Sequence, residues 1–162
     1  MISACIFRQF NSLILVVFGV LAQSALASEN LQKLFNKREC YGCDLTQVNL
    51  GFKNLRGSRL KKSNFTKAYL VYADLTGANL SNTTLTGAFM NGVNLTNTNL
   101  ENANFTNTEL ELANFTSANL QNVNFSGAYL LHAIITEKQL MYARLCETVM
   151  PDASINNRDC NK

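Results

Sequence analysis

From Cys43 onward a large apolar residue returns at every fifth position without an insertion: Leu45, Leu50, Leu55, Leu60, Phe65, Leu70, Leu75, Leu80, Leu85, Met90, Leu95, Leu100, Phe105, Leu110, Phe115, Leu120, Phe125 and Leu130. A period of five fits neither a helix at 3.6 residues per turn nor a strand at two. It fits a chain that turns a corner every five residues and aims each large side chain at one shared axis. Four such sides close a coil of about 20 residues, and stacked coils pair by backbone hydrogen bonds at the ~4.8 Å strand spacing. Over this series the rod has about 4.5 coils and a height of roughly 22 Å. Two residues before the large one stands a small one, as at Ala68, Ala73, Ala78, Ala88, Ala103, Ala113, Ala118 and Ala128. That position also points inward, because a narrow interior cannot hold two large side chains per side.

Asn or Asp stands just before the large residue and Thr often just after it, as in Ala73-Asp74-Leu75-Thr76-Gly77 and Ala78-Asn79-Leu80-Ser81-Asn82. These stretches resemble the A-[DN]-L-x-x signature of the pentapeptide-repeat family, and the resemblance covers residues 43–132. It implies an all-β fold, a right-handed quadrilateral β-helix, here with short helical caps. The Cys40–Cys43 entry and the Cys-containing tail resemble exported members from cyanobacteria and plant thylakoid lumens, which implies the periplasm or the thylakoid lumen. One departure is Lys53, which occupies an inward position, with Ser58 and Ser63 following where Ala is usual. A buried lysine must reach out through a coil edge, so the second and early third sides are expected to be distorted.

The segment before the repeats is of another kind. Arg8 precedes the apolar run Leu13–Ala22, and Ala25-Leu26-Ala27 supplies a small-x-small cleavage site. Ten apolar residues are too few to span a bilayer, which takes about 20. Residues 1–27 therefore read as a signal peptide, 28–42 as an N-terminal capping segment, 43–132 as the repeat coil and 133–162 as a C-terminal helix and disulfide cap. Leu31, Leu34 and Phe35 share a helical face suited to lid one end, and Thr136 is a candidate N-cap for a helix over 137–145 with Leu140 and Met141 inward.

Removal of the leader takes Cys5 and leaves Cys40, Cys43, Cys146 and Cys160, an even number suited to disulfides in an exported chain. Bridged Cα atoms lie within about 7 Å, and the two cysteine pairs sit at opposite ends of the rod. The pairing Cys40–Cys43 and Cys146–Cys160 follows. The C-x-x-C spacing also suits thiol redox chemistry, but Cys43 opens a coil and points inward, which favours structure.

No motif asks for a cofactor, a metal or a catalytic role. The one histidine, His132, stands alone at an outward position with no nucleophile placed beside it. Gly57, Gly77, Gly87, Gly92 and Gly127 all fall two residues after a large one, where a corner wants a permissive backbone rather than a phosphate loop. Sorting outward residues at a spacing of 20 gives polar columns on three sides, including a threonine ladder at Thr46, Thr66, Thr86 and Thr106. The fourth side carries Phe52, Tyr69, Val71, Tyr72, Phe89, Leu112, Tyr129 and Leu131, a contiguous apolar surface of the kind that marks an interface. Lys53, Arg56, Arg59, Lys61, Lys62 and Lys67 form a basic rim suited to an acidic partner or, weakly, an anionic membrane surface.

These features describe a non-enzymatic exported scaffold that binds a protein partner or a second copy through its aromatic side. Other readings are ice binding through the threonine ladders, thiol redox through Cys40 and Cys43, and the DNA mimicry by which some pentapeptide-repeat proteins inhibit topoisomerases. The last needs an acidic rod, whereas this chain has a net charge of +3; nucleic acid is not an expected partner.

Overall fold

The computed structural model describes residues 28–161; the leader read in residues 1–27 lies outside them. Parallel bridges join residues 20 apart, from Glu39–Arg59 through Asn79–Asn99 to Tyr129–Val149. The ladder spans about 5.5 coils and a height of roughly 26 Å at strand spacing. Coil pairing runs past residue 132, where the sequence pattern placed its end: Asn114 pairs with Ile134, Asn124 with Arg144 and Tyr129 with Val149. The reason is in the register, since Ile135, Leu140, Leu145 and Met150 keep the multiples of five.

Each pentapeptide disposes of its five backbone N–H groups in a fixed way. Around Leu95, the Leu95 N–H donates to Asn114 of the next coil, Asn97 to Thr116 of the next coil and Asn99 back to Ala78. Thr98 closes the corner by donating to the Leu95 carbonyl at 3.2 Å. The remaining N–H, of Thr96, donates to the side-chain Oδ1 of Asn94 at 3.1 Å. The Asn or Asp before the large residue is thus an acceptor for a donor the coil cannot otherwise serve. Twelve pentapeptides use it, from Asp44 to Asn124.

The second residue after each large one takes a positive φ at every corner from Gly42 to His132, between 54° and 68°. Glycine and asparagine tolerate this, but Phe52, Tyr72 and Leu112 adopt it as well, at 59°, 54° and 60°. The repeat overrides local preference there: the corners at Tyr72 and Leu112 are held by hydrogen bonds from both neighbouring coils, and that at Phe52 by the coil that follows.

Inside, the large residues are fully buried and stack by column. Phe105 and Phe125 stack at 5.3 Å, and Phe115 meets them edge-on across the axis at 6.3 and 5.8 Å. Thr98, Thr108 and Thr148 occupy inward small positions and donate their hydroxyls to the buried carbonyls of Leu75, Leu85 and Phe125. The side carrying Lys53 is not distorted. Its corner bond from Lys53 N to the Leu50 carbonyl is 3.2 Å and the Asn54–Asp74 bridge is in register. Lys53 lies in the first coil of its column and its side chain runs out to solvent.

Residues 28–37 form helix α1 at one end. Leu34 is buried on the coil and Leu31 packs against it, whereas Phe35 is 48% exposed rather than inward. The Asn30 side chain donates to the Asp44 carbonyl and fixes the helix to the first coil. At the other end, helix α2 (Glu137–Leu140) is a single turn that stops short of the expected 145. It stops because Ala143 and Leu145 re-enter the interior, which leaves Met141 outside. Thr136 caps it in a reciprocal box with Gln139. Gln139 also does what a coil peptide would have done: its side-chain amide donates to the carbonyls of Phe115 and Ala118 at 2.8 and 3.1 Å. Strands β1 (Thr148–Val149) and β2 (Ile155–Asn156) make an antiparallel hairpin, after which Asp159 pairs with both backbone groups of Leu145 and closes the end.

Candidate functional site

The candidate surface is the side built on Leu50, Leu70, Met90, Leu110 and Leu130. Phe52, Tyr69, Tyr72, Leu112 and Tyr129 are exposed there, while Val71, Phe89 and Leu131 are half-buried. Two stacked pairs organise its first half. Tyr69 and Phe89 stack at 4.8 Å, nearly parallel, in the column just before the large residues. Phe52 and Tyr72 stack at 5.5 Å along the neighbouring corner. The Tyr72 ring lies so close over Gly92 that a Cβ at 92 would come within 2.3 Å of it, so the glycine makes room for the ring as well as for the turn. The C-terminal segment closes the rod's end and leaves these rings open.

This side also treats its backbone differently. Tyr69, Phe89, Glu109 and Tyr129 stand where other sides mostly carry Asn or Asp (Arg59 and Thr84 are exceptions there). After Asn49, which serves Gly51, none on this side offers an acceptor to the N–H two residues on. Glu111 is rescued by Asn91 of the coil before, whose Oδ1 accepts its N–H at 3.0 Å; the Asn91 amide in turn donates to Glu109. The N–H groups of Val71, Asn91 and Leu131 have no such acceptor among the described residues. The aromatic surface thus carries outward donors free for something other than the chain itself.

Exposed apolar residues are not confined to this side. Tyr41 at one end and Met141, Tyr142 and Ile155 at the other are all more than 60% exposed.

The basic rim is exposed at Lys53, Arg56, Arg59, Lys61, Lys62 and Lys67, but the coil partly neutralises it. Arg56 pairs with Asp74 at 3.0 Å and Arg59 with Glu39 at 2.7 Å. Lys62 sits over the Tyr41 ring at 5.7 Å. Spacings of 18 and 20 residues place those acids beside those arginines, a signal the linear gap between Asp44 and Asp74 conceals. Burial pushes the Asp74 carboxyl up, but hydrogen bonds from the Thr76 side chain and backbone and the Arg56 guanidinium hold it below its ordinary value.

The cysteines form two disulfides, Cys40–Cys43 and Cys146–Cys160. Both members of the first are buried, replacing a large and a small inward residue at the opening corner. His132 lies exposed at a corner of the aromatic side. Among the described residues no three His, Cys, Asp or Glu groups are placed to hold a metal, and no helix is long and apolar enough to cross a membrane. On the threonine sides most of the hydroxyls are engaged: Thr46, Thr66, Thr76, Thr106 and Thr116 each donate to the Asn or Asp two residues before.

Comparison with known proteins agrees with this architecture. The family profile described as a pentapeptide repeat region matches residues 58–135, and a second, for pentapeptide repeats in eight copies, matches residues 39–76. Among solved structures, the pentapeptide-repeat protein Rfr23 of the cyanobacterium Cyanothece is 29% identical, with a TM-score of 0.56 over 79% of this chain and 97% of that one. HetL of Nostoc, a pentapeptide-repeat protein involved in heterocyst differentiation regulation, is 27% identical, with a TM-score of 0.44 over 73% of this chain and 64% of that one. A pentapeptide-repeat protein of the Arabidopsis thaliana thylakoid lumen is 22% identical, with a TM-score of 0.23 over 65% of this chain and 74% of that one. No curated protein matches. The repeats and the first of these structures make the coil a right-handed β-helix.

Proposed function

The chain belongs to the pentapeptide-repeat family, and from that premise we propose that it is an exported, non-enzymatic scaffold that binds a protein through its aromatic side. One observation carries the reading. On the other sides most outward Asn and Asp residues are spent on the coil's own N–H groups, whereas the aromatic side presents rings and unserved donors together. Rings at positive φ are locally unfavourable, and Phe52 and Tyr72 occupy such corners where Asn or Gly would be easier. Partner binding supplies a reason to keep them. Export to the periplasm or thylakoid lumen is supported by the leader pattern and by two disulfides, which persist in oxidising compartments. In this reading α1 and the closing segment after residue 149 act as end caps, covering strand edges that would otherwise invite further pairing.

The competing readings lose support from specific residues. Threonine hydroxyls already committed to Asn and Asp are poorly placed to order water as an ice template. The Cys40–Cys43 disulfide is buried at the opening corner, away from an incoming thiolate. DNA mimicry needs an acid-lined rod, and this one begins with a basic rim.

The test is a triple variant, Tyr69→Ala, Phe89→Ala and Tyr129→Ala, compared with wild type for thermal melting and for partner capture from the exported fraction. Capture is expected to fall at least ten-fold while folding is kept, as expected when aromatic anchors are removed. Unchanged capture together with unchanged self-association sinks the reading.

A further inference from the structure

We infer that the partner of the aromatic side is a second copy of this chain, docked face to face with its rod axis reversed. The inference rests on the preceding reading of that side and adds the identity and orientation of what binds there. Charge along the rod supplies the argument. Residues 28–67 hold nine basic and three acidic side chains, whereas residues 68–162 hold four basic and eight acidic. Two rods side by side with axes parallel would set base on base and acid on acid. Reversal sets each basic half against an acidic one, and a two-fold pairing repeats every such contact twice.

The residues of the side itself are self-complementary under that reversal. With the two-fold axis crossing at the level of Phe89, the coil of Tyr69 faces the coil of Glu109 in the other copy. Tyr69 then comes opposite Glu109, Tyr72 opposite Leu112, and Phe89 opposite its own counterpart. Lys67, exposed on the adjoining corner, lies diagonally beside Glu109. The unserved N–H of Val71 comes opposite Glu111, whose carboxylate is an acceptor of the kind that donor lacks. Glu109 and Glu111, which interrupt the apolar surface in one copy, therefore acquire partners in the pair.

A single side of this height and one pentapeptide in width offers a small contact, at or below the ~1,200 Å² lower bound of stable interfaces. The pairing is accordingly expected to be reversible, dependent on concentration and weakened by salt.

Sedimentation equilibrium of the full chain, expressed with its leader and disulfides intact, reads this directly. A monomer–dimer equilibrium is expected that weakens on raising salt from 50 to 500 mM. Lys67→Glu alone and Glu109→Lys alone are each expected to weaken the dimer at least ten-fold with the fold kept. Melting is unchanged for Lys67→Glu and slightly lowered for Glu109→Lys, which gives up the exposed Asn91–Glu109 hydrogen bond. Mixing the two variants restores dimer, since each then offers the charge the other lacks. A monomer at all concentrations in low salt overturns the inference, as does a dimer indifferent to both reversals or variants that fail to pair when mixed. If the chain stays monomeric but binds anionic vesicles or another protein through the same rings, the second copy is excluded while the aromatic side remains a binding surface. If the Tyr69, Phe89 and Tyr129 triple variant also loses nothing, both readings fall.

Discussion

The side built on Leu55, Leu75, Leu95 and Phe115 and the side built on Leu50, Leu70, Met90, Leu110 and Leu130 share one interior and one ladder. They differ only outside. On the first, Asn54, Asp74, Asn94 and Asn114 each accept the N–H two residues later, and Thr76 and Thr116 donate their hydroxyls to the same oxygens of Asp74 and Asn114. That side is satisfied within itself. On the second, rings replace most of those acceptors, and backbone donors and strained corners remain open. The difference teaches that the fold requires little of outward positions, so a departure from the self-satisfied pattern reports something other than folding.

The largest expected effect tests whether the two sides do share an interior. Phe115→Ala removes the ring that meets Phe105 and Phe125, and a loss of about 3–5 kcal/mol is expected from urea unfolding. A loss under 1 kcal/mol means the columns do not support one another. Next, Asn94→Ala strips the acceptor from Thr96 N–H and should cost about 1 kcal/mol, read by the same titration. No such cost is expected for Tyr129→Ala, which serves no backbone donor. A smaller effect of opposite sign sharpens the contrast. Leu112→Asn places a tolerant residue at a φ of 60° and should raise stability by about 0.5–1 kcal/mol while weakening association. A destabilised variant shows that Leu112 is structural after all.

The smallest effect concerns charge. Asp74→Asn keeps the acceptor for Thr76, as Asn94 and Asn114 do, and loses only an exposed ion pair, so less than about 0.5 kcal/mol is expected at neutral pH. Because the folded state lowers the Asp74 pKa, its ionised form favours folding above the ordinary carboxylate range. That increment fades as acid brings the pH down through the folded-state value. Melting temperatures taken from pH 6 to pH 2 should show it in wild type and lack it in the variant.

The interior between Leu45 and Leu130 is legible from their spacing, because a period of five admits few geometries. The outward sorting was equally legible, since columns repeat at 20. What escaped depended on exchanges between distant backbone groups. Phe52, Tyr72 and Leu112 carry no local sign of a left-handed corner; hydrogen bonds to neighbouring coils, together with the bond that closes each corner, hold them there. Nothing in the neighbourhood of Gln139 shows that its side-chain amide completes the ladder under Ala118. Lys53 looked disruptive because burial was assumed; in the first coil the side chain has a way out. The pentapeptide pattern is hard to follow beyond 132, because Lys138 and the helical turn mask the large residues at 135, 140, 145 and 150.

The unbroken pairing of residues 20 apart between Glu39 and Ile134 separates two properties that are usually entangled in a protein. Excising residues 81–100 takes out one whole storey and leaves every remaining column facing as before. Excising five residues instead swings everything beyond the cut through a quarter revolution, which carries Tyr129 and Leu131 into line with the neighbouring Asn and Thr column. Stature and compass bearing are therefore written independently in this chain, and a lineage can lengthen the rod without redirecting what it shows.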